Sequence, residues 1–468
     1  MRYLIETYGC QMNKAESAAL ETIFRERGWL PADPAAARDS YGEARPEQAE
    51  DAAGADLVLI NTCSVRATAE SRAWGRIDLF ASVKRRRERE GRRLAIVVTG
   101  CMAERLKDEI RGRQPAVDHV VGTFQKQAFG LVLDAVEQGR EVGDIEESPS
   151  FVFASSYAEP GAFRSFLPIM HGCDNFCAYC IVPYLRGREV SRRPSDILAE
   201  LDALEDSGTR EVTLLGQNVN SYRWREEGRE LDFPGLLRLM SAHLRERGRG
   251  SLRWIRFLTS HPKDLSEELI RVLAEDELFC RHVHLCVQSG SDRVLEAMNR
   301  RYTRRAYLDL VARMRAAIPG LSLSTDILVG FPGETEEDLA DTLDLMREVG
   351  FAYSFMYHFN PREGTPAATM PGRVPDKVKR ERLARVIELQ RETTRSLMES
   401  RVGAVAEVLV EGVSRRRKSE LLGRTQRDEM VVFPAPASRV GSFATVRLTG
   451  LSGNTFRAEE IPAGGEAR

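Results

Sequence analysis

Short apolar segments alternate with amphipathic helical patterns through most of this 468-residue chain. Between residue 151 and about residue 359 there are six strand candidates, and helical patterns such as Ser195–Asp206 and Glu336–Val349 follow most of them. Strands that alternate with helices are typical of a parallel α/β sheet, and six such units predict an open or partial β/α barrel. The strand candidates are Phe166–His171, Val212–Gly216, Ile255–Thr259, His282–Val287, Leu323–Val329 and Tyr353–Phe359.

The regions on either side of this predicted barrel have different patterns. The N-terminal region carries three strand candidates separated by helical patterns, which predicts a second parallel α/β domain. A long charged helix, Asp376–Ser400, closes the barrel domain, and short strands with glycine turns then predict a small β barrel that often binds oligonucleotides. The N-terminal strands are Tyr3–Glu6, Leu57–Asn61 and Ala95–Thr99, and the predicted domains are residues 1–150, 151–400 and 401–468.

The composition of the chain indicates its cellular environment but does not identify its partners. The 68 basic and 70 acidic residues give a net charge of −2, which by itself neither favours nor excludes nucleic acid. The N-terminal stretch has no long apolar segment of a secretory signal, and no run reaches the roughly 20 apolar residues of a membrane span. We therefore expect a cytoplasmic, monomeric protein without a membrane partner, in which eight cysteines indicate metal or redox chemistry.

Three of these cysteines, Cys173, Cys177 and Cys180, form a CxxxCxxC loop. Thiolates at such spacing suit an iron–sulfur cluster, whose usual set is four cysteines, so three would leave one iron open to a small molecule. Two alternatives remain at this point: a zinc ion with His171 as fourth ligand, or a disulfide in an oxidising compartment.

A second set of cysteines is dispersed in sequence but repeats one structural position. Cys10, Cys63 and Cys101 each follow the end of one of the three N-terminal strand candidates. Ligands of parallel α/β sheets gather beyond the carboxyl ends of the strands, so adjacent strands would bring the three sulfurs to one place. The alternative is three unrelated buried thiols, and core packing is the interpretation we give to the remaining pair, Cys280 and Cys286.

With these motifs assembled, the chain resembles the radical S-adenosylmethionine (SAM) methylthiotransferases. It is most similar to the bacterial group that makes 2-methylthio-N6-dimethylallyladenosine in tRNA, and its C-terminal barrel resembles a TRAM domain, an RNA-binding module. Two departures are a loop at Pro31–Gly54 that is longer than usual and Cys286 at a position where the family pattern has proline. The matching stretches include TYGCQMN, NTCSVR, HGCDNFCAYCIVPYLRGRE, GQNVNSY, TSHP, VQSGSDRVL and STDILVGFPGET.

The resemblance implies a reaction and its cofactors. It implies two [4Fe-4S] clusters, one on each set of three cysteines, and transfer of a methylthio group to C2 of N6-dimethylallyladenosine at tRNA position 37. SAM would serve both as methyl donor and as radical source. The partners implied are the tRNA anticodon stem–loop, a reducing electron donor and a sulfur source.

Contacts to SAM are expected at the carboxyl face of the barrel, where barrel enzymes place their active sites. In the turn that includes Gly330 and Gly333, the glycines would permit close backbone approach, although a plain strand-to-helix turn explains them equally well. The candidates are Tyr179, Gln217, Asn218, Ser289, Asp326, Gly330 and Gly333.

Contacts to RNA are expected from arginines after the cysteine loop and from a basic turn of the C-terminal barrel. The basic run Lys84–Arg93, with its interleaved glutamates, is instead interpreted as a solvated helix face. The RNA-binding candidates are Arg186, Arg188, Arg192, Arg193, Arg415, Arg416, Arg417 and Lys418.

Other functions remain open on the sequence. Within the same chemistry, the substrate could be threonylcarbamoyl-adenosine in tRNA or an aspartate of a ribosomal protein. Outside it, three thiols and a basic barrel would also suit a zinc-stabilised RNA-binding protein without catalysis.

Overall fold

The computed structural model describes residues 1–32, 54–64, 67–140, 151, 153, 161–248 and 250–462. Most of the predicted loop at residues 31–54 and the predicted domain boundary at residue 150 lie outside these described residues. The chain divides into two compact units, each considered by itself here. Unit 1 comprises residues 1–159, 166–174 and 181–192, and unit 2 comprises residues 160–165, 175–180 and 193–468.

Unit 1 is built on a five-stranded parallel sheet in the order β2-β1-β3-β4-β5. The central strand β3 is an unbroken buried run of apolar and small residues, as expected of a parallel strand that is covered on both faces. The strands are β1 Arg2–Tyr8, β2 Leu30–Pro31, β3 Leu57–Thr62, β4 Ala95–Gly100 and β5 His119–Val121.

Helices cover both faces of this sheet and create two apolar cores. One core packs Ile77 and Phe80 against Val58 and Ile96, and the other packs Phe24 beside Trp29. The helical segment after β4 is divided in two, because Leu106 leaves the helical conformation. The helices are α1 Gln11–Glu26, α2 Ala67–Arg89, α3 Cys101–Arg105, α4 Lys107–Arg113, α5 Phe129–Gln138 and α6 Val182–Arg186, and a short hairpin joins β7 Met170–His171 to β8 Val190–Ser191.

Unit 2 contains the predicted succession of parallel strands and helices. Strand β9 pairs with β12, and β14 pairs with both β13 and β15, all in parallel. A parallel bridge between Ser260 and Leu285 links the two groups, so the strands follow one another as in a partial barrel. The strands are β9 Glu211–Leu215, β12 Trp254–Phe257, β13 His282–His284, β14 Ser322–Val329 and β15 Tyr353–His358, with a hairpin of β10 Arg223–Glu226 and β11 Arg229–Asp232. Strand β6 Arg164–Pro168 begins in unit 2 and ends in unit 1.

Five of the seven helices of this region begin at a residue whose side chain caps the first turn. Ser266, Ser291 and Thr303 accept hydrogen bonds from backbone amides of the first turn, and Thr335 forms a capping box with Asp338. The helices are α7 Pro194–Asp206, α8 Phe233–Glu246, α9 Glu267–Glu275, α10 Asp292–Ala297, α11 Arg304–Ala317, α12 Glu336–Val349 and α13 Asp376–Glu399.

The C-terminal strands close into a five-stranded barrel, which confirms the predicted small β barrel. Its wall packs on the strand region of unit 2 through Leu409 and Phe443, which contact Trp254 and Cys280. Arg256, paired with Glu211 at 2.9 Å, also donates to the Thr425 carbonyl of the barrel at 2.6 Å. The strands are β16 Val405–Val413, β17 Glu420–Thr425, β18 Met430–Pro434, β19 Phe443–Ser452 and β20 Thr455–Glu460.

Within the described ranges, no helix is both long enough and apolar enough to cross a bilayer.

Candidate functional site

The strand register of unit 1 places the three N-terminal cysteines at one edge of the sheet. Tyr8 of β1 pairs with Thr62 of β3, which in turn pairs with Gly100 of β4. Cys63 and Cys101 therefore each come directly after one of these paired residues, and Cys10 lies two residues beyond Tyr8. Cys63 and Cys101 are buried and Cys10 is partly buried. The structure thus brings together the three thiols that the sequence predicted to converge.

Asn13, in the first turn of α1, connects the strand ends beneath these thiols. Its Oδ1 accepts from the Cys10 amide at 3.3 Å, and its Nδ2 donates to Asn61 Oδ1 and to the Thr62 carbonyl, both at 3.0 Å. The side chain is fully buried. A buried amide with all these partners fixes the loops that carry Cys10 and Cys63.

The local electrostatics favour the thiolate form of Cys10. A hydrogen bond with Cys63 and the charge of Arg186 lower the pKa of Cys10 to about 6, although burial acts in the opposite direction. Arg186 is buried and pairs with Glu16 at 2.7 Å. The thiolate is the form of cysteine that binds metal, so the site is prepared for ligation.

The donor set of this site is three cysteine sulfurs. Cys10 and Cys63 lie within hydrogen-bonding distance of each other. Thiolate sulfur is a ligand of iron–sulfur clusters and also of zinc, so the three residues fit a thiolate-bound metal centre, of which a cluster is one.

The first part of the cysteine loop belongs to unit 1. The Cys173 amide donates to the Gly187 carbonyl at 3.1 Å, and Asp174 pairs with Arg188 at 2.6 Å. Gly172 has φ +79°, and a Cβ there would collide with the Arg188 carbonyl, so this close approach requires glycine.

The second part of the loop belongs to unit 2 and is held by the end of α10. Asn299 donates to the Phe176 carbonyl at 2.9 Å, and the Ala178 amide donates to the Met298 carbonyl at 2.9 Å. Arg300 is buried and donates to Cys177 Sγ at 3.4 Å. This contact holds the sulfur of Cys177 in a fixed position in the loop.

Three of the predicted SAM contacts lie where a ligand could use them. Tyr179 packs at the edge of the core that contains Ala178 and Phe331. The buried Oε1 of Gln217 has no hydrogen-bond partner among the described residues, and the same is true of Asn220 Oδ1. Buried polar atoms are rarely left unpaired, so these orphaned atoms fit a polar ligand such as SAM. Asp326, on β14, is partly exposed.

Four other predicted SAM contacts are already used within the protein, so the structure does not support direct contact by them. Asn218 donates to Asp264 at 2.7 Å and accepts from the His261 amide at 3.1 Å. Ser289 is buried and accepts from the Ser291 amide at 3.2 Å. These two side chains therefore position loops of unit 2.

Gly330 and Gly333 form a strand-to-helix turn, the alternative that the sequence left open. Both have positive φ, +72° and +77°. The Gly330 amide donates to Glu334 Oε1 at 2.8 Å, and a Cβ at Gly330 would collide with Lys379 of α13. The Gly333 amide donates to the Gly372 carbonyl at 2.7 Å. With both amides paired, turn geometry and packing explain these glycines.

The predicted RNA-binding arginines separate into two groups. Arg186 and Arg192 are buried, at 4% and 3% exposure, so the expectation that they contact RNA is corrected: Arg186 belongs to the N-terminal thiol site. Arg188 and Arg193 remain exposed, as are the four basic residues of the barrel turn between β16 and β17. The exposed turn residues are Arg415, Arg416, Arg417 and Lys418.

Sequence reasoning did not identify Asn13, Glu16 or Arg300 as site residues. Asn13 lies inside the TYGCQMN stretch, and its spacing of three residues after Cys10 at a helix start was the available signal. Glu16 and Arg300 reach their partners across 170 and 123 residues of sequence, a distance at which no local pattern operates.

Comparison with known families matches three regions of the chain. The Radical SAM superfamily matches residues 167–346, the Uncharacterized protein family UPF0004 matches residues 2–122, and the TRAM domain matches residues 399–460. With its partial barrel and thiol loop, the protein is an enzyme of the radical SAM class, whose members use a [4Fe-4S] cluster and SAM.

Full-length relatives define the family more narrowly. The tRNA-2-methylthio-N(6)-dimethylallyladenosine synthases of Treponema pallidum (strain Nichols) and Geobacter sulfurreducens are 48% and 43% identical to the chain. The alignments cover 98% and 100% of this chain, and 99% of each relative. The chain belongs to the tRNA-2-methylthio-N(6)-dimethylallyladenosine synthase family.

Solved structures support the fold alone. The radical SAM methyltransferase TsrM from Kitasatospora setae, with cobalamin and a [4Fe-4S] cluster bound, has a TM-score of 0.56 at 16% identity and covers 78% of this chain and 77% of its own. The cobalamin-dependent enzyme OxsB has a TM-score of 0.52 at 11% identity, with 84% of this chain and 56% of its own covered.

Proposed function

We propose that this enzyme transfers a methylthio group to C2 of N6-dimethylallyladenosine at position 37 of tRNA, with SAM as both methyl donor and radical source. The convergence of Cys10, Cys63 and Cys101 at the sheet edge is the observation that carries the proposal. A radical SAM enzyme needs only one cluster to cleave SAM, so a second thiol site indicates a further task. Delivery of sulfur is the task that the relatives' names suggest.

The two thiol sets take different roles in this proposal. Cys173, Cys177 and Cys180 would hold the cluster whose open iron binds SAM, and Cys10, Cys63 and Cys101 would hold the second. When bound, these groups supply the reducing electron for SAM cleavage and the iron that carries the added sulfur. An adenine C–H bond has no acidic proton for a side-chain base, which is why radical chemistry is required.

The chain itself contributes placement and electrostatics. Arg300 donates to Cys177 Sγ and, through its other terminal nitrogen, to the Cys286 carbonyl, which ties the loop to the end of β13. We propose that Tyr179 packs against the adenine of SAM and that Gln217 pairs with one of its polar atoms, whereas Asp326 lies 3.5 Å from His284 and is not assigned to SAM. The orphaned Oε1 of Gln217 supports this assignment.

RNA contact is proposed for the exposed cationic residues only. The turn Arg415–Lys418 lies on the C-terminal barrel, and Arg188 and Arg193 follow the cysteine loop. The target base lies in a single-stranded loop, where a nucleotide can be unstacked into a pocket at a cost of about a few kcal/mol. We propose that the enzyme acts as a monomer in the cytoplasm and depends on an external electron donor and sulfur source.

Reconstituted turnover tests this function. Anaerobic enzyme with both clusters would be incubated with SAM, a reductant, sulfide and an isopentenylated anticodon stem–loop, and the nucleosides analysed by mass spectrometry. The proposal expects 2-methylthio-N6-dimethylallyladenosine. No modification of this RNA, together with methylthiolation of a threonylcarbamoyl-adenosine stem–loop or of a ribosomal protein, would overturn the substrate assignment. A colourless protein that carries zinc and no iron would overturn the enzyme assignment.

A further inference from the structure

A third group of metal-ligating side chains lies inside unit 2, separate from both cysteine sets. His284, at the end of β13, Cys286, two residues later, and Asp326 of β14 each offer one ligand atom, and the three atoms lie within 4.8 Å of one another. His284 and Cys286 are buried, and Asp326 is partly exposed. In the described part of the chain, this is the one set of three such residues with so short a spacing.

The imidazole of His284 is oriented for ligation. Its Nδ1 lies 2.8 Å from Ser324 Oγ, and its Nε2 lies 3.5 Å from Asp326 Oδ2. Ser324 Oγ also contacts His282 Nε2 at 2.9 Å, so the hydroxyl that holds His284 is itself held. Metal-binding histidines typically fix one ring nitrogen on such a partner and present the other to the ion.

The position of the Cys286 thiol is fixed through its backbone. Its carbonyl accepts from Arg300 and from the Tyr302 hydroxyl, which fixes the backbone. The thiol lies within hydrogen-bonding reach of both His284 and Asp326. A thiolate, an imidazole and a carboxylate are the three ligand types that zinc accepts in proteins.

We infer that His284, Cys286 and Asp326 form a binding site for a single divalent metal ion of the zinc type. Three protein ligands leave one tetrahedral position for water or a small ligand, as in zinc sites that are not purely structural. Because the ligand atoms lie within 4.8 Å of one another, they need to approach by at most about 1 Å to reach the mutual distances of zinc ligands. Hard cations such as Mg²⁺ would be disfavoured, because thiolate and imidazole select softer ions.

Zinc loading of the iron-replete enzyme tests this site. Anaerobic wild-type protein with both clusters, Cys286→Ser and the matched control Cys280→Ser would be incubated with ZnCl2, desalted and assayed for zinc and iron. Cys280 is a second buried thiol of unit 2, packed near Trp254 and Leu409 and outside the triad. We expect Cys286→Ser to retain one zinc per chain fewer than wild type, and Cys280→Ser to retain as much zinc as wild type. Zinc affinity should fall by about tenfold or more in Cys286→Ser, since even outer-shell partners change it by about 10- to 100-fold.

Zinc K-edge X-ray absorption identifies the ligands independently of activity. We expect one sulfur neighbour at about 2.3 Å with nitrogen and oxygen neighbours at about 2.0–2.2 Å. Equal zinc retention by wild type and Cys286→Ser, or zinc with three sulfur neighbours, would overturn the inference, since the latter places the ion on a cluster set. If Cys286→Ser has lost iron, which would indicate a misfolded protein, Asp326→Asn is tested instead under the same criteria.

Discussion

Arg186 and Glu16 form a buried ion pair, in which the guanidinium Nη1 lies 2.7 Å from the carboxylate Oε1 and the side chains are only 3% and 7% exposed. The charge of Arg186 acts on both Cys10 and Cys101, so the pair holds a permanent cation beside the N-terminal thiols. This arrangement couples the stability of unit 1 to the charge state of its cysteines.

Arg186→Met should disable the N-terminal thiol site. The change removes the ion-pair partner of the buried Glu16 carboxylate, which costs about 3–5 kcal/mol, and it removes the cation that favours the Cys10 thiolate. Iron content should fall from about eight to about four per chain, as one cluster is lost. The control is Arg188→Met, on an arginine whose side chain is 75% exposed. Full iron content in Arg186→Met would contradict this role.

Asn13→Ala should weaken the same site by a different route. It removes the side-chain acceptor of the Cys10 amide and the side-chain donor to Asn61 Oδ1, at a cost of about 1–3 kcal/mol. The expected result is a lower thermal midpoint and slower reconstitution of the second cluster, measured by iron and sulfide uptake. Gln11→Ala, an exposed position in the same turn of α1, is the control and should behave as wild type.

His261 should make stability depend on pH. Burial, followed by the charge of Arg300, lowers its pKa to about 2, against about 6.5 in an unfolded chain. The folded state holds the neutral ring, so its stability is complete above pH 6.5 and declines as pH falls, because the unfolded chain then binds the proton. At pH 5.5 the loss is about 1.4 kcal/mol.

The variant His261→Asn isolates this effect. In the wild type, His261 Nδ1 accepts a hydrogen bond from the Lys263 amide at the helix cap, at 3.3 Å. An asparagine side chain can still accept this hydrogen bond, but it cannot titrate. Both proteins should carry the same clusters. The drop in thermal midpoint from pH 7.5 to pH 5.5 should then be smaller for the variant than for wild type. Equal falls in the two proteins would show that His261 does not contribute.

Removal of charge from the barrel turn should weaken tRNA binding without affecting the clusters. Arg415, Arg416 and Lys418 are exposed, and replacement of all three by serine should reduce the slope of log affinity against log salt by about two to three, at about 0.7–0.9 per phosphate contact. The matched control replaces Arg85, Arg86 and Arg89, exposed residues of the run interpreted as a solvated face. An equal loss in the control would contradict the assignment.

Convergence of Cys10, Cys63 and Cys101 could be predicted from sequence because it follows from local periodicity. Each cysteine follows an apolar strand, and adjacent parallel strands end at the same edge. The succession of strands and helices in unit 2 was predictable for the same reason. The strand at His282 ends earlier than predicted, at His284, because the chain leaves regular pairing before Gln288, whose φ is +70°.

The contacts around the site could not be predicted because they depend on packing between distant segments. The sequence suggests that Gly330 permits close approach of a ligand, but in the structure Lys379 of α13 occupies that space. Arg186 lies in a basic stretch that suits RNA, yet Glu16, 170 residues away, holds it in the interior. Such partners become apparent only when the fold brings the segments together.

The most direct test of the account is a comparison of Cys63→Ala with Cys177→Ala. Each variant should retain about four irons, since each loses one cluster. Cys63→Ala should still cleave SAM to 5′-deoxyadenosine but form no methylthiolated nucleoside, whereas Cys177→Ala should lose cleavage altogether. Loss of cleavage in both variants, or a methylthiolated product from Cys63→Ala, would contradict the division of labour between two three-thiol sites.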